Sequence, residues 1–490
     1  MFNLLAILIS SSIIFFRNID KFPLRNWDEA WYTEIIKNMA SGTHSLLVPF
    51  WNGQYYFDKP PLYFWLSLPI VKFFGAGQWQ VRLVSVIAAI LALLFVYLTG
   101  KKLFNRRVGL IAFVVFVSLG QVVIRFAHGN LDALLIFLFL ASFYFYLLSL
   151  QNRFPRPKGR GSLFLAQNSL HPWHKCQGFF ARNKIFAPVC GIALGLGFLV
   201  KGWFVGLYPA LIITLYSLFT QKKLPRNLVL IVIFTLISSS WYFILGTLRF
   251  GGPFFNWYLL NPAGGLLKSP LSSFSLTYFG DLIKDIGFWW IPIVVFALKF
   301  RKIAQTEEKI LITFLASILL FIFPLNFLSE KLGWYNLPAY PLVALVIAFA
   351  LEKLYRKSAK VTVLLILVIL ILQVFNVNRI ENIYPDRSQV GASLGLLAQK
   401  LIPKEDTVVL DDHDFTAFLF YSNHGKVFVV DREGPKPGEW WILKYGQLPM
   451  FINDNPKTWI VTPNLENLPF EIKSEQVSGN LSGYSFIKLY

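Results

Sequence analysis

The sequence contains few of the residues from which soluble and metal-dependent enzymes build their sites. Only 15% of its 490 residues are charged, against about 25% in ordinary soluble domains. Its two cysteines, Cys176 and Cys190, lack metal-ligand spacing, and its six histidines form no HExxH pattern. Neither GxGxxG nor a GxxxxGK phosphate loop occurs. These absences argue against a zinc hydrolase and against a nucleotide-binding loop.

Apolar residues are abundant instead. Hydrophobic residues make up 55% of the chain and aromatic residues 17%, with a mean hydropathy of +0.54. A chain this apolar cannot cover its surface as a water-soluble globule. Apolar runs typical of membrane spans occur at 2–16, 83–100, 108–124, 132–150, 185–200, 203–220, 228–247, 286–299, 310–328, 335–351 and 361–376. The pattern predicts an α-helical polytopic membrane protein with about eleven spans.

One apolar segment, 61–74, is too short for a span and contains Pro69. It is predicted to form an interfacial or re-entrant helix that does not cross. The basic loops then fall on one side of the membrane, at 101–107, 151–184, 221–226, 299–302 and 352–360. With Lys309 they hold nearly half of the 46 Lys and Arg residues but few of the 26 acidic residues. This positive-inside pattern places the amino terminus in the cytoplasm.

The same charge distribution has a second consequence. The net charge of +20 reports topology and contact with anionic membrane lipid, and it gives no reason to expect nucleic acid. The insert 151–184 is rich in Pro, Gly and Arg and is predicted to be a loosely ordered inner loop.

Two domains are predicted. Residues 1–376 form the membrane domain, with a large first outer loop at 17–82, and residues 377–490 form a small soluble α/β domain. In the latter, β-rich runs occur at 407–412, 426–431, 458–463 and 485–490, and the apolar stretch 416–422 is predicted as a helix between two strands. Because the tail follows an odd number of spans, it is expected on the extracytoplasmic side.

The first outer loop carries the richest set of polar residues. Asp28 and Glu29 are adjacent carboxylates between Trp27 and Trp31, and Tyr32 follows Asp28 by one helical turn. One interpretation is that Asp28 only caps the helix 29–40. The other is a general base, because burial beside aromatic rings makes a carboxylate a better proton acceptor.

Further polar residues occur at the outer ends of spans. Lys59 precedes two prolines and is either a phosphate ligand or a snorkelling interfacial lysine. Asp132 opens a span just after Arg125 and His128, and either it is a site carboxylate or one of Asn130 and Asp132 only caps the helix. Lys201 stands alone in an apolar run, and Lys331 and Tyr335 lie at the mouth of a later span. The topology places all of these on the outer face, which predicts a cavity suited to an anionic lipid head.

These motifs resemble the lipid-linked glycosyltransferases of the GT-C superfamily over about residues 20–345. The branch that they match is glycosyltransferase family 39, which contains aminoarabinose transferases of lipid A and protein O-mannosyltransferases. The resemblance is carried by Asp28-Glu29 with Tyr32, YFDKPPLYFW (56–65), Arg82 at the start of a span, GNLDALL (129–135), LVKGW (199–203) and K-x-x-x-Y-x-x-P (331–338).

The resemblance implies a membrane glycosyltransferase that moves a hexose or aminoarabinose-type sugar from a polyprenyl-phosphate donor by inverting displacement. The acceptor is a lipid such as lipid A, a glycan or a protein. It implies catalytic roles for Asp28, Glu29 and Asp132. It implies substrate-binding roles for Tyr32, Tyr56, Lys59, Arg82, Lys201, Lys331 and Tyr335. Family members often have Arg-x-Asp where this chain has Asn130-Leu131-Asp132, so the contacts of Asp132 stay open.

The resemblance also implies a multi-pass protein of a bacterial inner membrane and no required cofactor. A divalent metal held by the acidic residues stays an open alternative. Two other classes remain. A polytopic transporter also keeps charged residues at membrane depth, whereas a non-catalytic envelope assembly protein would need no cluster of carboxylates and lysines.

Overall fold

The computed structural model describes residues 2–150, 185–260, 274–299, 303–328, 331–383, 388–412, 415–431, 434–435, 439–471 and 476–489. The predicted inner loop 151–184 lies outside the described residues. The amino-terminal part contains α1 (Phe2–Phe16), α2 (Asp28–Ala40), β1 (Phe50–Trp51), β2 (Gln54–Tyr55), α3 (Leu62–Phe74), α4 (Gln78–Leu103), α5 (Arg106–Val117), α6 (Gly120–Phe126) and α7 (Asp132–Ser149). Then follow α8 (Phe186–Lys201), α9 (Trp203–Tyr216), α10 (Leu228–Phe250), α11 (Gly252–Phe255), α12 (Thr277–Ile286), α13 (Trp290–Lys299), α14 (Gln305–Leu325), α15 (Tyr340–Lys357) and α16 (Ala359–Ile383).

The described chain has six helical segments that are long and apolar enough to cross a membrane, or seven if α5 and α6 count as one span. They are α4, α7, α10, α14, Gly333–Lys357 and Ala359–Arg379. The predicted runs at 2–16, 185–200 and 203–220 are also helical but shorter. The segment 61–74 forms α3, a helix of 13 residues, and its predicted interfacial or re-entrant placement stays a prediction. The fold is therefore that of a multi-pass helical membrane protein.

Two predicted spans differ from the structure. The run 108–124 is broken into α5 and α6, which meet at a bend of 70°. The chain leaves the helix at Leu119, whose backbone is extended, and Ser118 accepts a hydrogen bond of 2.9 Å from the indole of Trp289. The run 286–299 yields a helix only from Trp290, after the 3₁₀ turn Gly287–Trp289. Apolar composition alone could not reveal either break.

Helices α8 and α10 cross at close range through two glycines spaced four residues apart. A Cβ atom on Gly191 would lie 2.4 Å from the carbonyl oxygen of Ile231, and one on Gly195 would lie 2.5 Å from that of Thr235. The hydroxyl of Thr235 also donates to the carbonyl of Gly191 at 3.1 Å. Small residues allow such close backbone packing in membranes. The crossing fixes α8, and thereby Lys201 at its last position.

The carboxyl-terminal part is a small α/β unit. It contains α17 (Ser388–Leu401), β3 (Thr407–Leu410), α18 (Phe415–Ser422), β4 (Val427–Asp431), β5 (Ile442–Lys444), α19 (Leu448–Asp454), β6 (Thr458–Thr462), β7 (Val477–Leu481) and β8 (Tyr484–Lys488). The six strands form one sheet in the order β5-β4-β3-β6-β8-β7, parallel from β5 to β6 and antiparallel beyond.

All four predicted strand runs and the helix between the first two are confirmed. Short continuous runs of β-branched and apolar residues explain this success, because strands β3, β4 and β6 are buried on both faces. The predicted boundary at 377 falls inside α16, which continues to Ile383.

The sheet domain contacts the first predicted outer loop directly. The side-chain amide of Asn52 donates to the carbonyl of Val427 and accepts from its N–H, both at 2.8 Å. The backbone N–H of Trp27 donates to the hydroxyl of Thr416 at 2.5 Å, and that of Leu24 donates to the hydroxyl of Tyr421 at 3.1 Å. The loop and the sheet domain therefore lie at the same end of the helices.

Candidate active site

Asp28 and Glu29 begin the same helix but face different surroundings. The side chain of Glu29 is 2% exposed and that of Asp28 is 23% exposed. Glu29 accepts hydrogen bonds from the Arg82 guanidinium at 2.7 and 2.9 Å, and from the backbone N–H groups of Gly129 and Arg25 at 2.6 and 2.8 Å. Glu29 therefore joins three segments of the fold.

The charge of Glu29 follows from these contacts. Burial alone would raise the pKa of Glu29, but the hydrogen bonds from Arg82 hold it well below the usual range. His128 lies 3.7 Å from the same carboxylate, and burial lowers the pKa of His128. Glu29 is thus ionised and fully paired, which suits a structural role better than proton transfer.

Asp28 does not cap its helix. The capping position belongs to Trp27, whose φ of 62° is left-handed and whose side chain makes no cap hydrogen bond. The carboxylate of Asp28 instead accepts from the hydroxyl of Tyr32 at 3.1 Å and from the guanidinium of Arg125. The predicted pairing of Asp28 with Tyr32 on one helix face is present. Asp28 is partly exposed and held by two donors.

Arg125, at the end of α6, links the two predicted carboxylates. Its guanidinium contacts Asp28 and also donates to Asp132 at 2.9 and 3.1 Å. Lys201 donates to the other oxygen of Asp132 at 2.9 Å. Asn130, not Asp132, makes the capping-type contact, since its side-chain oxygen accepts from the backbone N–H of Asp132 at 2.9 Å. The bend between α5 and α6 brings this arginine to the site.

The sequence prediction did not include Arg125 among the site residues. It stands seven residues before Asp132, in RFAHGNLD, but no spacing rule links the two across a loop. Its position supplies an arginine to Asp132 although this chain lacks the Arg-x-Asp pattern.

Lys59 has a carboxylate neighbour as well. Its ammonium lies 2.6 Å from Asp58, and the two side chains are 22% and 23% exposed. The hydroxyl of Tyr258 donates to the backbone carbonyl of Lys59 at 2.8 Å and fixes the loop. Burial alone would lower the pKa of Lys59, but Asp58 raises it above its usual range. Lys59 is therefore a partly accessible cation at neutral pH.

Tyr335 and Trp334 bring aromatic faces to the same cations. The Lys201 ammonium lies 5.3 Å from the ring of Tyr335, and the Arg125 guanidinium lies 4.4 Å from the ring of Trp334. Cations favour such positions over aromatic rings. Lys331, four residues before Tyr335, donates to the carbonyl of Leu328 at 2.7 Å.

Arg82 is buried and paired within the protein. Its side chain is 1% exposed, and besides Glu29 it donates to the carbonyls of Ile19 at 3.0 Å and Pro23 at 2.9 Å. Every guanidinium nitrogen therefore already donates a hydrogen bond to an oxygen of the protein. The prediction that Arg82 binds substrate finds no support in this geometry, because the buried Glu29 needs the arginine as its counter-ion.

An aromatic cluster adjoins the carboxylates. Tyr56 lies 4.9 Å from Trp31 and 5.7 Å from Trp440, measured between ring centroids. Burial raises the pKa of Tyr56, and the carboxylates of Asp58 and Glu439 raise it further. Trp440 and Glu439 belong to the sheet domain, so that domain reaches the site.

Among the described residues, no group of three or more His, Cys, Asp and Glu side chains could hold a metal ion. The cluster built by Asp28, Asp58, Asp132, Lys59, Arg125 and Lys201 pairs each carboxylate with a cation. Such a set can bind an anionic group by exchanging one carboxylate partner for it.

Comparison with known proteins places this geometry in context. Residues 58–159 match the sequence model of a family described as dolichyl-phosphate-mannose-protein mannosyltransferase. An uncharacterised protein of Aquifex aeolicus is 25% identical over 68% of this chain and 70% of its own length. The undecaprenyl phosphate-alpha-4-amino-4-deoxy-L-arabinose arabinosyl transferase of Pseudomonas aeruginosa is 26% identical over 41% of this chain. That match spans only 33% of the transferase.

The fold has a close counterpart among solved structures. The crystal structure of ArnT from Cupriavidus metallidurans bound to undecaprenyl phosphate matches with a TM-score of 0.73 at 15% identity. The match covers 99% of this chain and 98% of that one, including the sheet domain. The predicted resemblance to lipid-linked glycosyltransferases is confirmed, in part of the sequence and in the whole fold.

Proposed function

We propose that this protein is a membrane glycosyltransferase that moves a sugar from a polyprenyl-phosphate donor to an extracytoplasmic lipid, glycan or protein. The observation that carries the proposal is the partly exposed carboxylate of Asp28, which contacts Arg125 and acts electrostatically on Lys59, while Arg125 and Lys201 share Asp132. The similarity to an undecaprenyl-phosphate arabinosyl transferase and to ArnT bound to undecaprenyl phosphate supports this choice of donor.

The leaving group determines the role of the cations. When the bond between the anomeric carbon and the phosphate oxygen breaks, negative charge grows on the lipid phosphate. Lys59, Lys201 and Lys331 neutralise that charge, which stabilises the transition state. Tyr56 and Tyr335 flank the phosphate. Lys59 leaves Asp58 and turns to the phosphate as the donor binds.

Asp28 acts on the acceptor. It accepts the proton of the attacking hydroxyl or orients that hydroxyl for inverting attack. Arg125 and Tyr32 hold the carboxylate in place. Asp132 keeps Arg125 and Lys201 in position, and Glu29 with Arg82 supports the helix that carries Asp28. No metal is needed in this scheme.

The placement in the membrane follows the sequence-based topology. We propose about eleven spans in a bacterial inner membrane, with the amino terminus in the cytoplasm and the sheet domain outside. The shared end of the first loop and the sheet domain supports the last point. An acceptor such as lipid A is reached from that side.

The test is transfer of radiolabelled sugar in membranes supplied with polyprenyl-phosphate sugars. Wild type should transfer sugar, and Asp28→Asn and Lys59→Ala should each lose at least about a hundredfold, as removal of transition-state contacts does. Asp20→Asn and Lys21→Ala, exposed in the same loop, are the matched controls. If wild type consumes no lipid-linked sugar, or both site variants transfer normally at equal protein level, the transporter and assembly-protein hypotheses take precedence.

A further inference from the structure

The sheet domain contributes two tryptophans to the aromatic cluster beside Asp28. Trp440 lies 5.7 Å from Tyr56, and Trp441 lies 4.8 Å from Trp51, between ring centroids. The indole N–H of Trp440 donates to the carbonyl of Asn52 at 3.0 Å. The carbonyl of Trp441 accepts from the N–H of Val429 at 2.8 Å and so anchors the pair to strand β4.

The cluster extends from the carboxylate to the cation of the site. Trp31 stacks on Tyr32 at 5.9 Å, and the hydroxyl of Tyr32 donates to Asp28. On its other side Trp31 lies 4.9 Å from Tyr56, which precedes Lys59 by three residues. The rings of Tyr32, Trp31 and Tyr56 therefore connect the helix that carries Asp28 to the loop that carries Lys59.

The rings differ in accessibility. Trp51 and Trp441 are buried, at 1% and 5% exposure, whereas Trp31, Tyr56 and Trp440 are half-buried. The buried pair forms a support behind the half-buried rings. The indole N–H groups of Trp31 and Trp441 have no hydrogen-bond partner among the described residues. A buried donor without an acceptor is costly, so a ligand that offers a hydroxyl or carbonyl oxygen to these indoles would be favoured.

A sugar ring matches this surface chemically. One face of a pyranose presents C–H bonds, which pack on the electron-rich face of an aromatic ring. A sugar that carries an amino group gains further from such a face, because ammonium groups are attracted to it. The phosphate of the donor borders this surface only at Tyr56 and is bound chiefly by cations, and the lipid tail packs on apolar helices.

We propose that the transferred sugar packs against Tyr56 and Trp440, so that the sheet domain supplies a specificity-determining residue to the site. This inference rests on the proposed function and adds to it the aromatic surface that recognises the sugar. Trp440 contacts the sugar, whereas Trp441 and Trp51 hold the Trp440 ring in position.

The experiment separates sugar recognition from lipid-phosphate recognition in the full-length protein. One measures kcat/KM for a polyprenyl-phosphate sugar, and the inhibition constant of undecaprenyl phosphate without sugar. Trp440→Ala should lower kcat/KM about tenfold, the size of a lost aromatic contact, and leave the inhibition constant unchanged. Trp440→Phe should restore most of the activity. Lys59→Ala should lower kcat/KM and also weaken inhibition by undecaprenyl phosphate. Met450→Ala is the control, because Met450 is 71% exposed in the sheet domain, and it should change neither quantity.

Other results would overturn the inference. An unchanged kcat/KM in Trp440→Ala would show that the ring does not meet the sugar. An equal loss in kcat/KM and in the affinity for sugar-free undecaprenyl phosphate would show a loosened domain instead of a lost contact. Failure of the proposed function looks different, because wild type itself would then transfer no sugar.

Discussion

Asp28 and Glu29 illustrate how neighbouring carboxylates divide their tasks. Glu29 faces inward, where Arg82 and two backbone N–H groups satisfy it, and Asp28 faces the cluster with Arg125. A buried ion pair is weak evidence for net stability, but breaking one partner is strongly destabilising because it leaves a buried charge unpaired. Residue type alone could not assign these roles, since both residues are acidic and adjacent.

The Glu29–Arg82 pair gives the first prediction. Glu29→Gln should destabilise the protein by about 3–5 kcal/mol, because the buried Arg82 loses its counter-ion. Glu34→Gln on the same helix is the control, since its partner Lys37 is 31% exposed and stays hydrated when the ion pair is lost. The measurement is thermal unfolding in detergent. An equal loss in both variants would contradict the structural role given to Glu29.

The pair also sets a pH dependence. The folded-state pKa of Glu29 lies below its ordinary value of 4.5, so its stabilisation is complete above about pH 4.5 and is lost as the pH falls further. Wild type should therefore lose apparent melting temperature more steeply than Glu29→Gln as the pH falls below 4.5. Parallel curves for the two proteins would argue against this contribution.

Asp285 contributes a pH dependence of stability opposite in sign to that of Glu29. Burial raises its pKa from 3.8 to about 7, and the hydroxyl of Tyr340 donates to its carboxyl group. The neutral form is favoured in the folded state, so stability is greatest below pH 3.8 and falls as the pH rises through about 7. Asp285→Asn, neutral throughout, should gain melting temperature relative to wild type as the pH rises above 3.8, and should melt several degrees higher than wild type at pH 8.5. A difference in melting temperature between variant and wild type that stays constant over this pH range would contradict the prediction.

At the scale of elements, two backbone features determine where the site residues lie. The bend of 70° between α5 and α6 carries Arg125 to Asp28 and Asp132. The close crossing of α8 and α10 fixes the helix that ends at Lys201. Hydropathy predicted the helices but not these two features, because a bend and a crossing depend on which neighbour the helix meets.

The crossing yields a matched pair of variants. Gly195→Ala would place its Cβ 2.5 Å from the carbonyl oxygen of Thr235, so the helices must separate. Gly197→Ala would meet only the ring of Phe139 at 3.5 Å, an ordinary contact. Gly195→Ala should lower the melting temperature and reduce sugar transfer several-fold as Lys201 shifts from Asp132, whereas Gly197→Ala should resemble wild type. Equal melting temperatures and equal transfer rates in the two variants would show that the helix crossing does not determine the position of Lys201.

At the scale of the whole molecule, the sheet domain and the first loop form one surface. Asn52 holds them together through two hydrogen bonds to Val427, and its left-handed φ of 45° suits Asn or Gly. The aromatic cluster lies across this contact, with Trp51 on the loop and Trp440 and Trp441 on the sheet domain. The site is therefore shared between the membrane helices and the tail.

Asn52→Gly tests this contact without straining the backbone. It removes two buried hydrogen bonds worth about 1 kcal/mol each. The sheet domain should become more sensitive to limited proteolysis, and transfer should fall several-fold. Asn423→Gly is the control, because Asn423 has a similar φ of 54° but makes an exposed contact to Lys37. Equal protease sensitivity of both variants would count against docking through Asn52.

The sequence by itself determined the membrane class, the sheet domain with four of its six strands, and the acidic, cationic and aromatic residues near one membrane face. Local patterns suffice there, because hydropathy, short β-rich apolar runs and helical spacing act over a few residues. Tertiary structure decided that Glu29 and Arg82 are buried partners, that Arg125 links Asp28 to Asp132, and that Trp440 lies beside Tyr56. These contacts join residues far apart in the chain, and only the packing of helices and sheet fixes which charge meets which.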